Sequence, residues 1–105
     1  MKVSIETGLN EYMHSHHHDT LMLSLIHDNY GAGNVNSNHP RIRYHEPKHP
    51  ELFDKYLVDE IMVYVSKEVK AYDDELEFVH EKLLGVHRCH VTGINLDYTE
   101  NYMHH

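Results

Sequence analysis

The sequence predicts a mainly β, α+β domain with one short helix near its N-terminus. Three features carry this expectation. Side chains alternate with period two in Lys2–Glu6, Thr20–His27 and Ile61–Val65. One early window, by contrast, has helical spacing. Between these segments, glycine, proline and asparagine mark turns at short intervals. At 105 residues the chain is expected to form one domain spanning 1–105 with one modest core.

In chain order, Val3 and Ile5 share one face of a first strand. Thr7 then caps a predicted helix over residues 8 to 17, where Leu9, Tyr12, Met13 and His16 recur at i, i+3, i+4 and i+7. Thr20 to His27 returns to strand, with Leu21, Leu23, Leu25 and His27 on one face and Met22 and Ile26 on the other. Asp28 to Asn34 and Asn36-Ser37-Asn38 are dense in turn formers. Arg41 to His45 then forms a brief edge strand, bracketed by Pro40, Pro47 and Pro50. Tyr56 to Val58, an Asp59-Glu60 turn and Ile61 to Val65 make a hairpin. Residues 73 to 85 admit two readings. Asp73 and Gly85 as caps around Leu76, Val79, His80 and Leu83 give a helix; Leu76, Phe78 and His80 at period two give a strand. Cys89 and Val91 alternate up to a bulge at Gly93.

The formal charge of −8 argues against nucleic acid and anionic membrane as partners. Protonating all thirteen histidines would carry it to +5, so the charge responds steeply to pH near 6.5. Neither an apolar leader core nor a membrane-length apolar run occurs, and the cytoplasm is the expected compartment. One cysteine excludes an intramolecular disulfide and a thiolate-only metal cage within one chain.

Residues 56 to 98 resemble the second half of a HesB-like domain, the fold of A-type iron–sulfur carriers and their cysteine- or selenocysteine-motif relatives. The resemblance lies in Val58-Asp59-Glu60-Ile61-Met62-Val63-Tyr64-Val65, Asp73-Asp74-Glu75-Leu76-Glu77-Phe78, Leu84-Gly85 and Cys89-His90-Val91-Thr92-Gly93-Ile94. The opening strand and helix, and a strand running into Gly31-Ala32-Gly33, fall in the corresponding order. It implies a compact β-sandwich or barrel-like domain and favours strand over helix near residues 75 to 80. It also implies a relation to iron–sulfur cluster assembly proteins. The family's cysteines are missing here, since Ala32 stands in the glycine-rich loop and the tail ends Asn101-Tyr102-Met103-His104-His105.

Several histidine patterns are candidate sites. His45-Glu46-Pro47-Lys48-His49 spells H-E-x-x-H, but that zinc motif needs a helix, which Pro47 and Pro50 oppose. His14 and His18 would share a helix face and chelate a metal as an i, i+4 pair. If residues 75 to 80 and 87 to 92 pair as strands, His87 and Cys89 share a face with His80 opposite. The candidate metal ligands are therefore His14, His18, His80, His87 and Cys89. They suit a divalent transition metal; an iron–sulfur cluster would need ligands from two subunits or from histidine. The leading expectation is a non-enzymatic HesB-like protein that has lost its thiolate site and binds a metal, a protein partner or a second copy of itself. The alternatives are a histidine-rich zinc, nickel or copper module, and an enzyme with a Cys89–histidine pair.

Overall fold

A computed structural model describes residues 1–30 and 35–96. Among the described residues, seven strands and one short α-helix run in the order β1 (Lys2–Ile5), α1 (Thr7–Ser15), β2 (Thr20–Tyr30), β3 (Val35–Arg43), β4 (Phe53–Val58), β5 (Ile61–Ser66), β6 (Glu75–Leu83) and β7 (Val86–Thr92). They form two sheets, ordered β1-β6-β7 and β3-β2-β5-β4, and neither closes into a barrel. The mainly β expectation with a short N-terminal helix holds.

The four-stranded sheet is two hairpins joined side by side. Parallel pairing of β2 with β5 sets Leu21 against Val63 and Leu23 against Val65. In the β4–β5 hairpin Val58 faces Ile61, and Asp59 and Glu60 both have positive φ, at 47° and 70°. That two-residue turn matches the right-handed twist of its strands. Period-two geometry then puts Leu21, Leu23, Ile61, Val63 and Val65 on one face, where all are essentially buried. The second sheet contributes Ile5, Leu76, Phe78 and Val91, and the helix contributes Leu9 and Met13. All eleven belong to one hydrophobic cluster.

Residues 75–83 form a strand, as the Leu76-Phe78-His80 alternation required. β6 lies between two partners, parallel to β1 with Ile5 against Phe78, and antiparallel to β7 with Phe78 against Val91. Gly85, the cap of the helical reading, instead shares a tight turn with Leu84, both at positive φ. The edge strand expected over 41–45 is longer at its start and shorter at its end, running Val35–Arg43 through Pro40. β3 is at the edge of its sheet, where a missing donor leaves no central ladder bond unmade.

The helix is shorter than the predicted 8 to 17 at its C-terminal end. Glu6, not Thr7, occupies the N-cap, and its side chain makes no cap bond. The Glu6 N–H instead donates to the Phe78 carbonyl at 2.9 Å, and its carboxylate accepts the His80 N–H at 3.3 Å. Glu6 thus extends the β1–β6 ladder to His80. At the other end His17 turns left-handed at φ 59°, its N–H bonding the His14 carbonyl, while the His18 N–H bonds the Met13 carbonyl at 2.8 Å. This is a Schellman stop with histidine where glycine is usual.

Gly93 is where backbone crowding demands glycine. Its φ is +88°, and a Cβ there would strike the Glu75 carbonyl, while Gly85 at φ +81° has open space around it. Gly93→Ala is therefore expected to cost about 2–4 kcal/mol and Gly85→Ala about 1 kcal/mol. Urea denaturation of both variants checks this; equal losses would contradict the close approach at Gly93.

Candidate functional site at the open end of the core

Along β6 the inward-facing side chains run Leu76, Phe78, His80; on β7 Val91 pairs with Phe78, Cys89 pairs with His80, and His87 follows two residues further along the same face. Burial fades in the same direction. Leu76 and Phe78 are at most 1% exposed and Val91 9%, Cys89 and His80 are half-buried, and His87 is exposed. The apolar core therefore ends in a rim of imidazoles and a thiol. Helix α1 packs against β6 here and lays Tyr12 over the rim.

The rings stack. Tyr12 lies 4.9 Å from His80, 5.1 Å from His87 and 4.2 Å from His16, centroid to centroid. His80 and His87 lie edge to edge, centroids 4.9 Å apart with 12° between planes, and Nε2 of His80 lies 2.8 Å from Nδ1 of His87. One ring must donate and the other accept, so the contact survives with at most one of the two charged. A second stack places His18 on Tyr44 at 4.4 Å, with His16 6.4 Å from His18. Tyr44, just beyond β3, lies beside Cys89.

Of the five predicted ligands, His18, His80, His87 and Cys89 gather at this end of the core, and His80 faces Cys89 directly across the ladder. His14 takes no part in the ring stacks. The expected His14–His18 helical pair does not form, because the helix stops at Ser15 and the left-handed His17 turns His18 away from the helical path. Tyr12, His16 and Tyr44 complete the array and were missed as functional residues. Their signal was present in part, since Tyr12 and His16 are four apart on the helix face that packs inward. His45-Glu46-Pro47-Lys48-His49 is a loop with no helical backbone, so it has no zinc-protease geometry. Ala32 and the tail Asn101–His105, where the resemblance would place ligands, lie outside the described residues. Among the described residues, no three histidine, cysteine, aspartate or glutamate side chains stand ready to hold a metal ion.

Three groups of this rim, Cys89, Tyr44 and His87, depart from their usual titration range. Burial pushes the Cys89 thiol up to about 12, with the neighbouring Tyr44 hydroxyl opposing only part of that rise. Burial also raises the Tyr44 phenol, assisted by Cys89 and Tyr12. Lost hydration, followed by charge on His80, Lys82 and His16, lowers the His87 imidazole below its usual 6.5. A protonated thiol is a poor nucleophile. Neutral imidazole, by contrast, is the metal-binding form.

A family model described as the CC/Se motif containing family matches residues 1–94 of the chain. No curated protein and no solved structure matches it.

In an NMR titration His87 titrates below 6.5 and moves back toward it in His80→Gln, so its contribution to stability is complete above 6.5 and lost on acidification. His27, held by Glu68 and Asn38, titrates above 6.5, and its contribution is lost as pH rises. Cys89 alkylates slowly at pH 8 in the folded protein and rapidly in urea; fast alkylation of the folded chain would contradict the buried, protonated thiol.

Proposed function

We propose that this chain, which belongs to the CC/Se motif containing family, is a non-enzymatic, HesB-like relative of iron–sulfur cluster assembly proteins that has exchanged thiolate chemistry for imidazole chemistry. With one cysteine it cannot carry a two-cysteine motif. The HesB-like reading is supported by the resemblance over residues 56 to 98, and the mainly β architecture is compatible with it. No described helix is long and apolar enough to cross a membrane, and the cytoplasm is the compartment we propose.

The observation that carries the functional reading is the 2.8 Å contact between His80 Nε2 and His87 Nδ1. Two imidazole nitrogens on one tetrahedral zinc, at ~2.0–2.1 Å each, are separated by about 3.3 Å. A shared proton therefore holds this pair within about 0.5 Å of a chelating separation. Two donors do not complete a site. The remaining ligands come from water, from a protein partner or from a second copy of the chain, so the metal would serve as a bridge to another molecule. Zinc, nickel and copper all suit imidazole donors.

Calorimetric titration with zinc, nickel and copper tests this reading. Micromolar or tighter binding to one of them is expected, with loss of about tenfold or more in His80→Ala/His87→Ala and no change in His14→Ala. Unchanged binding in the double variant would overturn the assignment. Anaerobic reconstitution with iron and sulfide should give no charge-transfer absorbance in the monomer; a coloured monomer would contradict the lost cluster site.

A further inference from the structure

The segment His45-Glu46-Pro47-Lys48-His49 has a different use. After β3 the chain folds back across the outer face of the four-stranded sheet and closes a cleft of about 340 Å³, near the lower end of the size range of small-molecule sites. The floor follows from register. Met22 pairs with Arg43 and Ser24 with Arg41, so these four side chains stand on one face of the β2–β3 hairpin, opposite Leu21 and Leu23 in the core.

The charge of the cleft is opposite to that of the chain. On a protein of net charge −8 with nine lysines and arginines, Arg41, Arg43 and Lys48 converge here. His45 and His49 stand beside them, and no aspartate or glutamate is among the described lining residues. Glu51 reaches His49 at 3.4 Å without lining the cleft. Arg43 donates through Nη1 to the Ile42 carbonyl at 3.0 Å, which uses one of the five guanidinium donors. Arg41 and Arg43 are two residues apart on one strand face, about 6.6 Å along the backbone. Two guanidinium forks at that spacing, with Lys48 also lining the cleft, suit a tetrahedral dianion. Met22, Leu52 and Phe53 supply an apolar wall next to the cations.

We propose that this cleft binds a small organic phosphate, its phosphate on Arg41, Arg43 and Lys48 and its apolar portion against Met22, Leu52 and Phe53. The site is separate from the histidine array and does not depend on the metal-bridging reading. A phospholipid headgroup presents the same phosphate, but the chain's net negative charge repels an anionic bilayer.

Titration of the ¹⁵N-labelled chain with phenyl phosphate at low ionic strength tests the assignment by NMR. Shifts confined to Ser24, Arg41, Arg43, Lys48 and their neighbours are expected, with inorganic phosphate binding more weakly. Arg41→Ala/Arg43→Ala should weaken binding about tenfold or more, and Arg41→Lys/Arg43→Lys should weaken it too, because lysine loses the fork. Both arginines are exposed, so the variants should keep the native spectrum. His80→Ala/His87→Ala should bind phenyl phosphate like the parent chain. Shifts scattered over the surface, or equal affinity in the alanine double variant, would overturn the proposal. So would co-sedimentation with phosphatidic acid vesicles without binding of phenyl phosphate.

Discussion

Strand β6 between β1 and β7 is the pairing on which the rest of this molecule depends. Its backbone is bonded on both sides, in parallel to β1 and antiparallel to β7. That placement turns Leu76 and Phe78 into the core and makes a second sheet to cover the Leu21, Leu23, Ile61, Val63 and Val65 face. A helix over the same residues would bury Val79 and Leu83 on its apolar stripe. Leu83 is instead 55% exposed at the hairpin end. Full burial of Phe78 accounts for the preference, since leaving an aromatic of that size in water forgoes roughly 2–3 kcal/mol.

The same register produces the candidate site. Facing residues on β6 and β7 pass from Phe78 with Val91 to His80 with Cys89, and the next inward residue on β7 is His87. Polar rings thus appear where the core meets solvent, and there Tyr12 stacks on both imidazoles, which share one hydrogen bond. Glu6 joins this end to the N-terminal strand by accepting the His80 N–H, so the helix start, β1 and the histidine pair are mechanically connected. Cys89 is a core-edge residue with a raised thiol pKa, and the imidazoles are the groups open to a ligand.

Much of this was legible in the sequence, for reasons that differ from place to place. The Asp59-Glu60 hairpin and the buried β5 face could be read because alternation and turn position agreed. The helix was legible from Leu9, Tyr12 and Met13, but its end was not, because the left-handed stop falls on His17, where glycine would have announced it. β3 was misjudged at both ends, since Pro40 signals a break only in a strand with partners on both sides. Residues 73–85 carried two periodicities at once, and only the long-range partners Ile5 and Val91 decide between them. His18, His80, His87 and Cys89 could be named from residue type, whereas Tyr44 and Tyr12 join them through tertiary contacts that no local spacing encodes.

β6 pairs with β7 in the register that sets His80 against Cys89. Long-range NOEs measure it directly. Side-chain contacts are expected from Phe78 to Val91, from His80 to Cys89, and from the Tyr12 ring to both His80 and His87. Sequential i, i+3 helical contacts across residues 75 to 83, or a ladder shifted by one residue so that His80 faces His90 or Arg88, would contradict it.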